Sequence, residues 1–578
     1  MSPARLVTLF LALSFCAPVC AAQTPAKAAG KSGGVIAGTV TAHGKGLPDV
    51  TVTLRSASFG GQGQDLPQAK TDAEGKYRIT DVPVGSYFVT PVAPVYVTPR
   101  AGRLAFGGDP VVITGGETID GIDFSLVRGG VVTGKVSDAE GRPVIEQTVS
   151  LLSADQQAGQ RGGFGGGGGN ARTDDRGVYR IYGVAAGRYY VSVGAQQRLS
   201  AYTAIMGQQA YKQTFYPDAA DTTQATVVEV AEGEEVGHID ITVGNTIEEY
   251  TVTGQVVDKS SNAAVPNVGL TLSLVALGVN RERAFGLMTL PVFSDSAGQF
   301  RIDNVPAGRY VVSLSPETSG GMSGESSPFD VINQDVTGVM VQAVSGAGLN
   351  GSVALEGTQD PNVLSELLQF QVQVGVFGGG NAANAASMQT VPLNEDGSFQ
   401  LAGLPAGTVR LVLVAPDASL QGAFKLLRTE LNGVPQPRGI PVATGQQLGG
   451  VRLVAAYADG IVEGTVKIQN GTLAPGARVF ARLVPAGQQQ GGRGASLGAA
   501  SVDSRGHFII ENVPAGGYNL IVSVLNPQGR RGGQRQTSPV TTQQQVNVSE
   551  GQVSNVNVTL DLGQNQTPPP AAPSPPTP

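Results

Sequence analysis

Apolar and polar residues alternate at period two through most of this chain, in short runs cut by glycine, proline, aspartate or asparagine. Val50, Val52 and Leu54 form one such run, and Ile122, Phe124, Leu126, then Ile239, Ile241, Val243, then Val556, Val558, Leu560 form others. Side chains two apart share one face of a strand, so each run predicts a half-buried β-strand. Helical spacing is not evident between them, and an all-β protein is expected.

The runs recur in a fixed order. Asp72, Gly75, Tyr77, Ile79, Val82, Gly85 and Tyr87 are matched at identical offsets by Asp174, Gly177, Tyr179, Ile181, Val184, Gly187 and Tyr189. A third copy reads Asp295, Gly298, Phe300, Ile302, Val305, Gly308, Tyr310, and a fifth Asp503, Gly506, Phe508, Ile510, Val513, Gly516, Tyr518. The fourth keeps the spacing with altered residues: Asn394, Gly397, Phe399, Leu401, Leu404, Gly407, Val409. Self-similarity at a period near 100 residues marks a tandem array.

Each position has a mechanical reading. The short Asp or Asn side chain accepts from the backbone two residues on and opens a turn, which Gly closes at positive φ. The aromatic and the Ile or Leu after it then face one side of a strand. Val-Pro-Ala-Gly and its variants break the chain, and the segment reads as a hairpin. Upstream lies a further pair of strands, clearest at 36–41 and 50–54, and copies begin near Gly38, Gly134, Gly254, Gly351 and Gly464. About seven short strands per copy with no helix between them suit a two-sheet antiparallel sandwich.

Composition agrees: 81 Gly, 36 Pro, 14% charged residues and no Trp. Both cysteines, Cys16 and Cys20, fall in the first 22 residues. The remainder has no disulfide, so each unit must hold by packing and cannot be smaller than about 40 residues. Residues 1–22 read as a secretory signal, with Arg5 before an apolar stretch and Cys20-Ala21-Ala22 before a cut at Gln23. That stretch falls short of the about 20 residues needed to span a bilayer. No membrane span is expected in the mature chain, whose location is extracellular, cell-surface or periplasmic. The expected division is 23–34 linker, sandwiches at 35–127, 128–245, 246–345, 346–456 and 457–562, and a Pro-rich tail at 563–578. Short linkers predict a semi-rigid rod.

Gly38-Thr39-Val40, Leu47-Pro48-Asp49-Val50-Thr51-Val52, Thr71 to Ile79 and Val82-Pro83-Val84-Gly85-Ser86-Tyr87 together resemble the carboxypeptidase regulatory-like family. The resemblance covers nearly all of 35–562. It implies a transthyretin-like (prealbumin-like, Ig-like) fold related to collagen-adhesin B-type and starch-binding-like sandwiches, without a catalytic domain. Collagen-adhesin relatives can carry a Lys to Asn isopeptide crosslink, but only Lys135 and Lys467 stand near the required strand position, and crosslinking is not expected.

Function is less legible. A net charge of −7 provides no basic footprint for nucleic acid. The three histidines, His43, His238 and His507, fall in three different copies, so neither an imidazole-assisted active site nor a zinc centre is expected. Turns such as Thr173-Asp174-Asp175-Arg176-Gly177 offer one or two carboxylates where calcium takes six to eight oxygens, and are read as turns. No cofactor is expected. Glycine tracts at 161–169, 491–493 and 530–533 are read as loops at the sandwich ends. The one distinctive aromatic cluster is Tyr202, Tyr211, Phe215 and Tyr216 in the second copy, which either stacks on sugar rings or covers the sandwich edge. The expected role is a non-catalytic exported scaffold or adhesion protein, with polysaccharide or another envelope protein as partner and polysaccharide binding as the alternative function.

Overall fold

The computed structural model describes residues 33–563 apart from 58–65, 100–108, 156–168, 195–210, 245, 278–281, 287–291, 378–387, 418–419, 475, 488–496 and 526–539. Residues 1–22, read above as a secretory signal, the Pro-rich tail, Tyr202 and nearly all of the glycine tracts lie outside the described residues.

Buried apolar side chains gather into five clusters, each from one continuous stretch: 36–126, 132–243, 252–343, 347–455 and 462–560. Every cluster lies between two sheets. In the first sandwich the strand Gly34–Ala42 pairs with Lys76–Val82, while Thr51–Ser56 pairs with Ala69–Lys70 and Gly85–Val92 in the opposite sheet. The other four repeat this plan, pairing 130–137 with 178–184, 249–258 with 299–306, 347–356 with 398–404, and 460–469 with 507–513. Neighbours are antiparallel except that first and last strands run parallel, as in Val40 opposite Phe124 or Val466 opposite Val558. In the third sandwich Met322–Ser326 bonds to strands of both sheets and closes one edge.

This pairing corrects the expected hairpin. The strands on either side of Val82-Pro83-Val84-Gly85 do not pair with each other, because they belong to opposite sheets. What turns the chain across the core is a bulge. Tyr77, Ile79 and Val82 are all buried although the last step is three residues, so one extra residue is inserted into the strand. That residue is left-handed in every copy: Asp81, Gly183, Asn304, Gly403 and Asn512 have φ between 56° and 72°. The pairing register shifts opposite each of them. The upstream segments 36–41 and 50–54 likewise lie in different sheets rather than forming a pair.

In the second, third and fifth sandwiches the tyrosine two residues past the glycine of the break completes the corner. Tyr189, Tyr310 and Tyr518 donate to the carbonyls of Ala185, Pro306 and Pro514 at 2.8, 2.9 and 2.8 Å. Their rings lie over the intervening glycine. In the first sandwich Tyr87 reaches only Val84 O, at 3.4 Å.

The repeated turn forms as its sequence indicates. Asp72 Oδ1 accepts from the N–H of Glu74 and Lys76 at 3.0 and 2.7 Å, and Asp174, Asp295 and Asp503 do the same. The closing glycines Gly75, Gly177, Gly298, Gly397 and Gly506 have φ between 71° and 86°. In the fourth copy Asp396 rather than Asn394 accepts the backbone bond, from Ser398 N at 2.9 Å.

Among the described residues one helix departs from the all-strand expectation: Pro361–Leu367 in the fourth sandwich, with Asp360 as N-cap accepting from Asn362 N. Proline at the helix start and an aspartate before it favour initiation, and Leu367 anchors it to the core.

Candidate functional site

The second sandwich uses its aromatic segment as structure. Thr214–Phe215 pairs with the strand Gly187–Val193, and Phe215 stands edge-on to Tyr190 with ring centroids 6.4 Å apart. Phe215 and Tyr211 are 6% and 7% exposed, and Tyr211 belongs to the core cluster. Burial pushes the Tyr211 phenol up. Tyr216, half-buried against the same core, donates its N–H to Val191 O at 2.9 Å and accepts from Thr226 N, before a cis bond to Pro217. The three residues are thus brought together along one edge, with two of the rings largely covered.

The histidines stay apart. His43 sits in a left-handed turn of the first sandwich and His238 in one of the second, while His507 opens a strand of the fifth. Among the described residues no group of three or more His, Cys, Asp or Glu is placed to hold a metal ion. Lys135 and Lys467 are both exposed.

Three of the four joints are a residue or two long. Strands end at Arg128, Ser345 and Tyr457 and the next begin at Gly130, Ala347 and Gly460. In each joint a residue donates its N–H to the preceding sandwich: Gly129 to Val95 O (2.9 Å), Gly346 to Gly321 O (3.0 Å) and Ala458 to Ala423 O (2.8 Å). The joint between the second and third sandwiches is longer, running from 243 to 248.

These joints do not produce a rod, because the first and fifth sandwiches touch. The edge strand Val111–Ile113 of the first meets the turn and strand 503–513 of the fifth. Arg505 Nη2 donates to Val112 O at 2.6 Å, and Val112 N donates to Asp503 Oδ2 at 3.4 Å. Both backbone groups that this edge residue turns outward are therefore taken by one Asp–Arg pair, itself closed by Arg505 Nε to Asp503 Oδ2 at 3.1 Å. Arg505 Nη1 also reaches Glu117 Oε2 at 3.3 Å. Burial alone would push the Glu117 carboxyl up, but hydrogen bonds from Thr114 and the charge of Arg505 hold it below the usual range.

Apolar burial accompanies these polar contacts. Val112 and Ile509 belong to neither core, yet they are 0% and 1% exposed. Ser86, beside Val112 in the sheet, is also buried, and its hydroxyl has no partner among the described residues. Sequence reasoning missed this contact: Asp503 reads as one more copy of the turn, and only Arg505 distinguishes it from the first, third and fourth copies.

No family model matches the chain, and no curated protein matches it. Solved structures similar to it include a streptococcal ancillary pilin (12% identity over 54% of this chain and 99% of that one, TM-score 0.18). The Bacillus anthracis TIE protein is 8% identical over 89% of this chain and 75% of that one, with TM-score 0.14. A minor pilin of Streptococcus agalactiae is 13% identical over 37% and 96%, with TM-score 0.21. The all-β tandem-sandwich fold follows from the strand order and the five cores.

Proposed function

We propose that this is a non-catalytic exported scaffold or adhesion protein of the cell envelope, built from five carboxypeptidase regulatory-like sandwiches at 35–127, 128–245, 246–345, 346–456 and 457–562. The observation that carries the reading is the joint: complete, separately cored sandwiches are tied to their neighbours by a backbone hydrogen bond at Gly129, Gly346 and Ala458. Repetition of one core with fixed joints positions surfaces relative to each other, which is a spacer's task rather than a catalyst's. No helix among the described residues is long and apolar enough to cross a membrane.

The test is binding of purified residues 23–578 to isolated envelopes and to a polysaccharide array. Saturable binding to envelopes that protease treatment of the envelope abolishes supports a protein partner. Retention on polysaccharide alone moves the function to carbohydrate binding, and metal-dependent peptidase activity in the pure chain overturns the proposal.

A further inference from the structure

The contact between first and last sandwiches joins elements almost 400 residues apart in sequence, and nothing in its chemistry requires both to come from one molecule. On the first sandwich it offers a three-residue edge strand with one N–H and one C=O pointing outward, flanked by the buried Ser86 and the carboxylate of Glu117. The fifth brings Asp503 to accept, Arg505 to donate, and Ile509, buried outside its own core, on the strand that meets 85–92 and 111–113. An unpaired strand edge recruits a partner, and here the recruited partner is a side-chain pair that reproduces a neighbouring strand's donor and acceptor.

We propose that this is an exchangeable end-to-end clasp: the edge of Val111–Ile113 accepts residues 503–509 of its own chain at low concentration and of a second copy at high concentration, joining copies head to tail. Three features point this way. The ion pair of Arg505 with Glu117 is partly exposed and screened by salt, which leaves two backbone bonds as the rest of the polar contact. The Ser86 hydroxyl, without a partner among the described residues, is a buried polar defect that lowers the cost of opening. The two halves are different surfaces, so exchange between copies is heterologous and does not stop at a dimer unless the ring closes. Within one chain the joints keep the halves at high effective concentration, so closure on itself wins when the protein is dilute.

The mature chain has no cysteine, so single cysteines report cleanly. In Ile509→Cys the thiol reacts with a maleimide at least ten times more slowly than a free thiol in the dilute chain, and adding Arg505→Ala restores fast labelling. In X-ray scattering and light scattering across a concentration series, the wild-type chain goes from a compact monomer to larger species, whereas Arg505→Ala gives an expanded monomer throughout. Mixing Val112→Cys chains with Ile509→Cys chains and adding a short bis-maleimide gives a crosslinked heterodimer that exceeds either variant alone. Fast labelling of Ile509→Cys in the otherwise wild-type chain refutes the clasp. Protection with a strictly monomeric wild type and no mixed crosslink refutes the exchange. The Val112→Cys and Ile509→Cys variants shorten apolar side chains that lie outside both cores, so a misfolded Arg505→Ala protein leaves both readouts standing.

Discussion

Replacing Tyr310 by Phe removes a single oxygen from the corner of the third sandwich. The phenol donates to the buried Pro306 carbonyl at 2.9 Å, and the ring, 0% exposed, lies over Gly308 within the core cluster of that sandwich. Packing is retained in the variant, so the change isolates the hydrogen bond. Loss of one partner of a buried pair costs about 1–2 kcal/mol, equivalent to about a 5- to 30-fold rise in the population of the opened sandwich. The chain has five cores, and a single melting midpoint would blur the effect, so the assay is native-state hydrogen exchange followed by mass spectrometry on peptides spanning 299–314. Exchange there should accelerate by that factor, while peptides of the fourth sandwich, where Val409 occupies the tyrosine's place, should not change. Acceleration below twofold, or acceleration spread evenly over all five cores, would refute the view that the tyrosine fixes the corner locally.

Gly177→Ala should destabilise the second sandwich by more than about 1 kcal/mol in the same exchange assay, because φ is +75° and an added Cβ would sit 2.4 Å from Val136 O. Phe215→Ala should cost that sandwich about 3–5 kcal/mol, measured by denaturant unfolding, because the ring is buried; a stability unchanged by this variant would mean that the segment is not part of the core. Alkaline pH should loosen the array. Burial raises the phenols of Tyr179, Tyr310 and Tyr518 above their unfolded value near 10, so their contribution is complete below about pH 10 and falls as pH rises. For Tyr518, pushed up to about 12, the loss runs from pH 10 to 12. Phenolate absorbance that rises fully near pH 10 while circular dichroism stays native would contradict this.

Local chemistry was legible in the sequence, and pairing was not. An aspartate followed three residues later by glycine fixes a turn whatever surrounds it, which explains why Asp72–Gly75 and its counterparts are found as expected. The hairpin reading failed at the next step because a chain break says nothing about which strand the next one will join. A signal was nevertheless present. Ile79 and Val82, like Ile181 and Val184, are both apolar at a spacing of three, which a regular strand cannot place on one face and a bulge can. The tyrosine four residues past Pro306 or Pro514 was a second signal. Tyr211 and Phe215 illustrate the opposite limit: an aromatic cluster has the same composition whether it faces a ligand or a core, and only the pairing of 214–215 to the neighbouring strand decides that these rings are covered.

The bulge residue links the fold of one sandwich to the placement of the next. Gly183 faces Pro94 of the first sandwich, and Gly403 faces Pro316, Ser319 and Met322 of the third, with an added Cβ 3.1 Å from the nearest backbone oxygen in both cases. Asn512 faces Gly422 of the fourth sandwich in the same way, with the space now provided by a glycine on the other side. Each of these corners is left-handed for the sake of the strand it interrupts, and its outward tip is also what the preceding sandwich rests against. A larger residue at 183 or 403 would therefore act twice, straining φ within its own sheet and prising the joint apart. The angle between neighbouring sandwiches is thus tied to the same residue that sends the chain across the core. The joints bring Val112 within reach of Asp503 and Arg505, and those two side chains then hold the contact closed. A change in corner size at position 183 or 403 should then open the end-to-end contact without touching any residue in it.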